Sequence, residues 1–210
     1  LKTFSSIQDN VNYRYLFYGN LFANCAQWLQ VISVGWLALS LTGSVFHSIM
    51  AVAVRALPTL ILGPWAGVLI DRQDRRKLAI AVQVLLLVTT LIFATFVALG
   101  QVDDVWYIYV YTLVTGVFFT VKQPVRQALV ANTVPKSAMP NALALSAMST
   151  TSMRLVGAVL GGVLLETVDF QWNFFFEAGL YLGVIALLIP MRTPYQETST
   201  ARQHSPLANL

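Results

Sequence analysis

Six long apolar stretches are the feature that most constrains this chain. They run over roughly 15–40, 46–70, 78–100, 106–131, 141–165 and 173–190. A helix needs about 20 mostly apolar residues to cross a bilayer, and these stretches have that length. The stretches lack the period-two alternation of barrel strands. The sequence therefore predicts an all-α membrane protein with six transmembrane helices.

The low charge content excludes most soluble proteins. Only 10% of the 210 residues are charged and 57% are hydrophobic, whereas a soluble domain carries about 25% charged residues. The loops between spans are short, so they have no room for a soluble catalytic domain. We expect residues 1–190 to form one six-span bundle. The polar segment 191–210, with its two prolines, is predicted to be a cytoplasmic linker or tail.

Lysine and arginine are distributed unequally between the two ends of the predicted bundle. The loops at 41–45, 101–105 and 166–172 contain none. Because basic loops stay in the cytoplasm, both termini are predicted to be cytoplasmic. The basic excess is thus a topology signal, and we expect no nucleic acid partner. The basic residues assigned to the cytoplasmic side are Lys2, Arg14, Arg72, Arg75, Arg76, Lys77, Arg126, Lys136, Arg192 and Arg202.

Three basic residues fall inside the predicted spans, namely Arg55, Lys122 and Arg154. A charged side chain near the bilayer centre costs about 2.5–3.5 kcal/mol on insertion scales, so such residues should face a protein interior or an aqueous cavity. They are candidates for contact with a substrate. For Lys122, in the cytoplasmic half, snorkelling toward the headgroups is an alternative. For Arg154 an internal ion pair or a carbonyl contact is equally compatible with the sequence.

Span one carries a polar stripe. Asn20, Asn24 and Gln27 are spaced at i, i+4 and i+7, which is one face of a helix. The stripe either lines a cavity, with Asn24 and Gln27 as candidates, or makes hydrogen bonds between helices. Glu177 is one turn below the predicted outer edge of span six, within reach of water. Span three has no charged residue, so we expect it at the lipid-facing periphery, with spans two, four and five lining the interior.

Glycines in spans two and five predict close helix packing. Gly63 and Gly67 form a GxxxG pair, and Gly157, Gly161 and Gly162 continue a pattern of small residues. Small residues at this spacing let two helix backbones approach in a membrane.

The loop between spans two and three combines acidic and basic residues. Asp71 lies at the end of span two, where a carboxylate opposes the helix dipole unless cations compensate it. Arg72, Arg75 and Arg76 supply such cations, and paired charges there would act as a latch between neighbouring helices. A plain positive-inside anchor would explain the arginines but not Asp71.

This loop resembles the G-x-x-x-D-R-x-x-R-R/K signature that joins the second and third helices of the major facilitator superfamily. Segments 124–135, 141–145 and 154–162 look like one bacterial branch of it, which includes the enterobactin exporter and related efflux proteins. The resemblance covers about 12–190. Two positions depart from the superfamily's proton antiporters: Thr112 stands where an arginine is frequent, and Ala158 stands where a proline is usual.

The resemblance implies twelve helices in two six-helix halves, each half made of two inverted three-helix repeats. This chain would be the N-terminal half and would need a second half, in the same chain or a separate one. Residues carried over to the cytoplasmic latch that stabilises the outward-facing state are Gly67, Asp71, Arg72, Arg75 and Arg76.

The implied function is secondary active transport across a bacterial inner membrane. A small organic compound, anionic or siderophore-like, would be exported by alternating access, with the lipid bilayer as the other partner. We expect no enzyme activity, no catalytic residue, no metal and no cofactor, while proton or ion coupling stays open. The alternative function is a six-span accessory or scaffold subunit that transports nothing.

Overall fold

The computed structural model describes residues 5–194, apart from the side chains of Ser5, Val68, Leu69, Asp71 and Arg72. In this part of the chain nearly every residue is helical. The helices are α1 (Ser5–Asp9), α2 (Val11–Thr42), α3 (Val45–Ala53), α4 (Leu57–Arg72), α5 (Arg75–Ala98), α6 (Val105–Thr133), α7 (Met139–Thr167) and α8 (Phe170–Leu188). Two short 3-10 turns, Val54–Ala56 and Lys136–Ala138, precede α4 and α7.

Six segments of the described chain are long and apolar enough to cross a membrane. Span one is α2, span two is formed by α3, the 3-10 turn and the first part of α4, and spans three to six are α5, α6, α7 and α8. The predicted fold class, an all-α membrane protein with six transmembrane helices, is confirmed. Of the predicted tail, residues 195–210 lie outside the described residues.

Local sequence explains where several helices begin and end. Asp74 precedes α5, and its side chain accepts hydrogen bonds from the backbone N–H groups of Arg76 and Lys77 at 2.9 and 3.0 Å. These are two of the donors that a helix start leaves unpaired. At the end of α2, Gly43 has a φ of 64°, a left-handed conformation that favours glycine.

The bundle core has two apolar clusters, both crossed by α2 and α6. One contains the buried residues Tyr13, Leu129 and Tyr181. The other is aromatic: the rings of Phe93 and Tyr111 stack with centroids 4.1 Å apart, and Phe174 meets Phe93 edge-on at 4.9 Å. Offset or edge-on aromatic pairs add to the stabilisation that burial alone provides.

The expectation that spans two, four and five line an interior stays a prediction, because the resemblance places a second six-helix half beside this one. Spans two and five each leave one face of this bundle uncovered. Their outward faces are apolar, with Leu60 and Ile61 on α4 and Leu155 and Val159 on α7 exposed. Span three packs one face of α5 against α6 and α8. The lack of charged residues in span three is compatible with contact with lipid. The sequence alone did not show which faces of the six helices would remain uncovered by the others.

Glycine allows α2 and α7 to approach closely. A Cβ added at Gly157 would lie 2.6 Å from the Cys25 carbonyl oxygen and 2.9 Å from Trp28 Cβ, and one at Gly161 would lie 3.3 Å from Ile32 Cβ. Tyr13 reinforces the pair, because its hydroxyl donates to the Ala142 carbonyl at 2.6 Å.

The other glycines that were predicted to allow close packing have no other described helix against them. A Cβ added at Gly63, Gly67 or Gly162 would meet no described atom within 4 Å. The prediction of close helix packing is therefore not met at Gly63 and Gly162 within the described residues. The physical reason is their direction, because these glycines lie on faces of α4 and α7 that no other described helix covers.

The turn between α4 and α5 is tied to two other helix ends. Arg75 Nη1 donates to Asn132 Oδ1, near the end of α6, at 3.0 Å. Arg76 Nε donates to the Leu188 carbonyl at 3.1 Å, and Arg76 Nη2 donates to the Ile189 carbonyl. A cation that caps the last carbonyls of a helix also compensates the helix dipole. Arg76 therefore compensates the end of α8, while compensation at the end of span two, where the side chains of Asp71 and Arg72 lie outside the described residues, stays a prediction.

Two alanine substitutions on α7 test the glycine contact. In Gly157→Ala the new methyl group overlaps the Cys25 carbonyl, so we expect a loss of about 1–3 kcal/mol, the usual size of an overpacking effect. The matched control Gly162→Ala adds the same methyl group in open space and should be neutral or slightly stabilising. Thermal unfolding of the detergent-solubilised protein measures both, and equal midpoints for the two variants would contradict the prediction.

A second pair of substitutions tests the cap on α8. Arg76→Gln removes the charge at the Leu188 and Ile189 carbonyls and should lower stability by about 1 kcal/mol. Lys77→Gln removes a neighbouring exposed charge and should change little. Hydrogen exchange of the last turn of α8 gives the local readout. If both variants exchange at the wild-type rate, the cap does not stabilise the helix end.

Candidate functional site

A cluster of polar side chains lies inside the bundle around Glu177 on α8. Glu177 is fully buried, as are Thr90 on α5 and Gln30 on α2. Its carboxylate accepts hydrogen bonds from Gln30 Nε2 at 3.0 Å, from Thr90 Oγ1 at 3.4 Å and from the Tyr111 hydroxyl at 3.3 and 3.4 Å. The Tyr111 oxygen also accepts from Gln30 Nε2 at 2.7 Å. Four spans therefore meet at one carboxylate.

This position corrects the expectation that Glu177 reaches water. Its number in the chain places it near the outer end of span six, but the side chain points toward the bundle axis and none of it is exposed. Depth along a helix and direction around it are independent, and only the first could be read from the sequence.

Arg55 belongs to the same cluster through one intervening amide. Its Nη1 donates to Gln30 Oε1 at 3.3 Å, and the other end of that amide donates to Glu177. The guanidinium also lies over the ring of Phe119, with its carbon 4.9 Å from the ring centroid. The Gln30 amide is thus oriented at one end by a cation and at the other by an anion.

Lys122 is enclosed by the protein rather than extended toward the headgroups. Its Nζ donates to the Ala23 carbonyl at 3.1 Å and lies 4.5 Å from the centroid of Phe119 and 5.9 Å from that of Tyr181. Only 5% of Lys122 is exposed, so the snorkelling alternative is wrong. Carbonyl and aromatic contacts both attract an ammonium group in a site without bulk water.

A second polar group lies between α2, α6 and α7. Arg126 Nη1 donates to Asn24 Oδ1 at 2.9 Å, and Arg126 Nη2 to Thr150 Oγ1 at 3.4 Å. Asn24 Nδ2 in turn donates to Ser149 Oγ and Thr150 Oγ1 at 3.4 Å. Arg126 falls within the predicted span four but was not expected among the basic residues inside the bundle. It lies within α6 and is half-buried, and its assignment to the cytoplasmic side stays a prediction.

Arg154 lies beside this second group on an exposed part of α7. Its guanidinium carbon is 4.3 Å from the centroid of the Trp28 ring. This stacking is a contact that neither the ion-pair nor the carbonyl alternative anticipated. Gln27, the residue immediately before Trp28 on α2, has a buried Oε1 with no hydrogen-bond partner among the described residues.

The predicted cavity residues therefore separate into two groups. Arg55 and Lys122 join the enclosed cluster around Glu177, which we call the inner cluster and define by Gln30, Arg55, Thr90, Tyr111, Lys122 and Glu177. Arg126 on α6 and Arg154 on α7 lie against Asn24 and Trp28 of α2. We call this group of four residues the basic face of α2. Sequence reasoning missed Tyr111, Thr90 and Arg126 as site residues. The signal for Arg126 was its position five residues before the predicted end of span four.

The predicted latch is described only in part. The side chains of Asp71 and Arg72 lie outside the described residues. Arg75 and Arg76 contact the ends of α6 and α8, and Gly67 is exposed. The role of these residues in a conformational latch stays a prediction.

Comparison with known proteins identifies the family. The sequence model of the transmembrane secretion effector family matches residues 2–205. The chain is 24% identical over 184 residues to the uncharacterized MFS-type transporter YfiS of Bacillus subtilis strain 168, covering 86% of this chain and 43% of that protein. It is 23% identical over 179 residues to the staphyloferrin A transporter of Staphylococcus aureus strain NCTC 8325, covering 85% of this chain and 45% of that protein.

The chain spans less than half the length of these curated relatives. The family match nonetheless extends over all six spans, and it agrees with the resemblance carried by the loop between spans two and three. The chain is therefore a multi-pass membrane protein that belongs to the transmembrane secretion effector family of the major facilitator superfamily.

Proposed function

We propose that the chain is the N-terminal six-helix half of a secondary active transporter that exports a small anionic organic compound by alternating access. The observation that carries this proposal is the pair of guanidinium groups on the basic face of α2, in a chain whose family consists of transporters. The membrane would be a bacterial inner membrane. The excess of basic residues at one end of the bundle supports cytoplasmic termini.

The spacing of the two guanidinium groups supports an anionic substrate. Arg126 is held by Asn24 and Arg154 by Trp28, and these two partners are four residues apart on α2. Four residues are about 6 Å along a helix, so both cations lie on one face, one turn apart. Guanidinium groups bind carboxylates and similar oxyanions through paired N–H donors. A compound with two acidic groups matches this arrangement.

The exposure of Arg154 supports a binding role over a purely structural one. Arg154 is exposed and its described contact is an aromatic ring, which leaves its N–H donors available to a ligand. The unpaired Oε1 of Gln27 adds one acceptor on the same helix for a hydroxyl or amine of the substrate. One relative is named as the staphyloferrin A transporter, and its similarity to this chain supports a transport function.

Transport by a complete protein tests the proposal. The chain is produced together with a matching second six-helix half, and export is measured as uptake into inverted membrane vesicles. Arg126→Ala and Arg154→Ala should each reduce transport of an anionic compound about ten- to a hundredfold, because each removes a charge-assisted hydrogen bond worth about 1.5–3 kcal/mol. Transport of a neutral analogue of the same size should fall much less.

Arg14→Ala is the matched control, since Arg14 is an exposed arginine on α2, the helix that both Arg126 and Arg154 contact. It should leave both fluxes unchanged. Equal losses for the charged and neutral compounds, or no loss in either variant, would remove the basic face from the substrate path. Stable assembly with the second half but no flux of any compound would favour the accessory-subunit alternative.

A further inference from the structure

Glu177 differs from the other acidic residues of the described chain in its place along the helices. It is the eighth residue of α8, about 10 Å from the start of that helix. The others lie in loops or within two residues of a helix end. These are Asp9, Asp71, Asp74, Asp103, Asp104, Glu166 and Asp169. An acidic residue inside a membrane bundle is expensive to keep, so its presence indicates a function.

The hydrogen bonds around Glu177 suit an ionised carboxylate. Gln30, Thr90 and Tyr111 all donate to it. A proton on one carboxyl oxygen would turn that oxygen from an acceptor into a donor. The hydroxyl of Tyr111 or Thr90 would then have to rotate in order to accept. The inner cluster therefore has two hydrogen-bond arrangements that differ by one proton.

The charges that face Glu177 depend on the same proton. Arg55 on span two and Lys122 on α6 both attract the carboxylate, and the titratable hydroxyls of Tyr111 on α6 and Tyr181 on α8 adjoin it. The groups contributed by α2 and α5 are uncharged. If Glu177 takes up a proton, Arg55 and Lys122 lose their compensating anion in a site without bulk water, where uncompensated charge is costly.

Arg55 lies at a break in span two, where a change in the charge balance with Glu177 can alter the conformation of that span. It lies in the 3-10 turn Val54–Ala56, which interrupts span two between α3 and α4. A 3-10 stretch within a longer helix often marks a hinge. The backbone there packs tightly on α6, since a Cβ added at Gly116 would meet the Arg55 carbonyl and lie 3.1 Å from Pro58 Cγ. The side chain is held by Gln30 alone among the described hydrogen-bond partners.

We propose that Glu177 is the site at which the transporter binds its coupling proton, and that the Gln30 amide transmits its charge state to Arg55 at the break in span two. A hydronium ion on the open side gives up its proton and becomes water as an O–H bond forms on a carboxyl oxygen of Glu177, and that bond later breaks when the proton passes to a water molecule on the other side. No other bond is made or broken. This inference rests on the proposed transport function. A static polar contact between helices is the competing explanation, and a glutamine would serve it equally well.

Infrared spectroscopy tests proton binding directly. The purified chain is reconstituted in liposomes and difference spectra are recorded over a pH series, in which a protonated buried carboxyl group gives a C=O stretching band. The band should be present in the wild type and in Glu177→Asp, which keeps a titratable group, and absent in Glu177→Gln. Glu166→Gln, an exposed acid on α7, is the control and should keep it. An unchanged band in Glu177→Gln overturns the inference, provided that its thermal midpoint shows a folded protein.

A spin label tests the transmission to Arg55. In a Cys25→Ser background, a nitroxide is attached to a cysteine at Ala56, an exposed residue of the 3-10 turn. Its spectrum should change with pH in the parent protein and stay constant in Glu177→Gln and in Gln30→Met. The same label at Ser152 on α7 should not respond to pH. A pH response at residue 56 that persists in Glu177→Gln contradicts the proposal.

Flux measurements separate this inference from the proposed function. In the protein with both six-helix halves, accumulation driven by a pH gradient should be lost in Glu177→Gln and kept in Glu166→Gln. If Glu177→Gln still accumulates substrate in response to the gradient, the proton site is wrong and the transport function stands. If the wild type moves no substrate while its infrared titration depends on Glu177, the transport function fails and the proton site stands.

Discussion

The structure depends on one constraint: a polar group inside a bilayer has no water to bond to and must be paired by the protein. Glu177 satisfies it with donors from three other spans, and Gln30 satisfies it by bonding a cation at one end and an anion at the other. Such bonds are directional, whereas the apolar contacts of helices in lipid are not. The inner cluster therefore fixes the rotation of the spans that meet there, and the apolar core fills in around it.

The same constraint explains why the intramembrane cations have different environments. Only a small fraction of Lys122 is exposed, and its ammonium group is surrounded by a carbonyl and two aromatic rings. Arg154 keeps an exposed position and rests on one tryptophan ring. A cation with a complete set of protein partners contributes to structure and to local charge balance. A cation with free donors is available to a ligand, and this difference favours Arg154 for substrate contact in the proposed function. Arg126, which donates to Asn24 and Thr150, would have to exchange those bonds for bonds to the substrate.

The sequence predicted what depends on position along the chain and missed what depends on direction around a helix. The apolar runs predicted the six spans, and the charged loop at Asp71 indicated the superfamily. Gly63 and Gly157 belong to similar motifs, yet only Gly157 faces another described helix. Arg126 lies near the end of a predicted span and is not among the basic residues expected inside the bundle, although its side chain contacts α2 and α7. The face that a helix buries depends on which helices lie beside it, and the sequence of a single span does not show that arrangement.

Helix α6 physically connects the two candidate sites. The Phe119 ring lies beneath both Arg55 and Lys122, and Lys122 bonds the carbonyl of Ala23, the residue before Asn24. Arg126, one turn after Lys122, bonds Asn24 itself. A substrate anion that draws Arg126 away from Asn24 would therefore act on the same helix that carries Tyr111 to Glu177. Because packed interfaces shift between discrete arrangements rather than deforming gradually, a shared helix is a direct way for an anion on the basic face and a proton on Glu177 to influence each other.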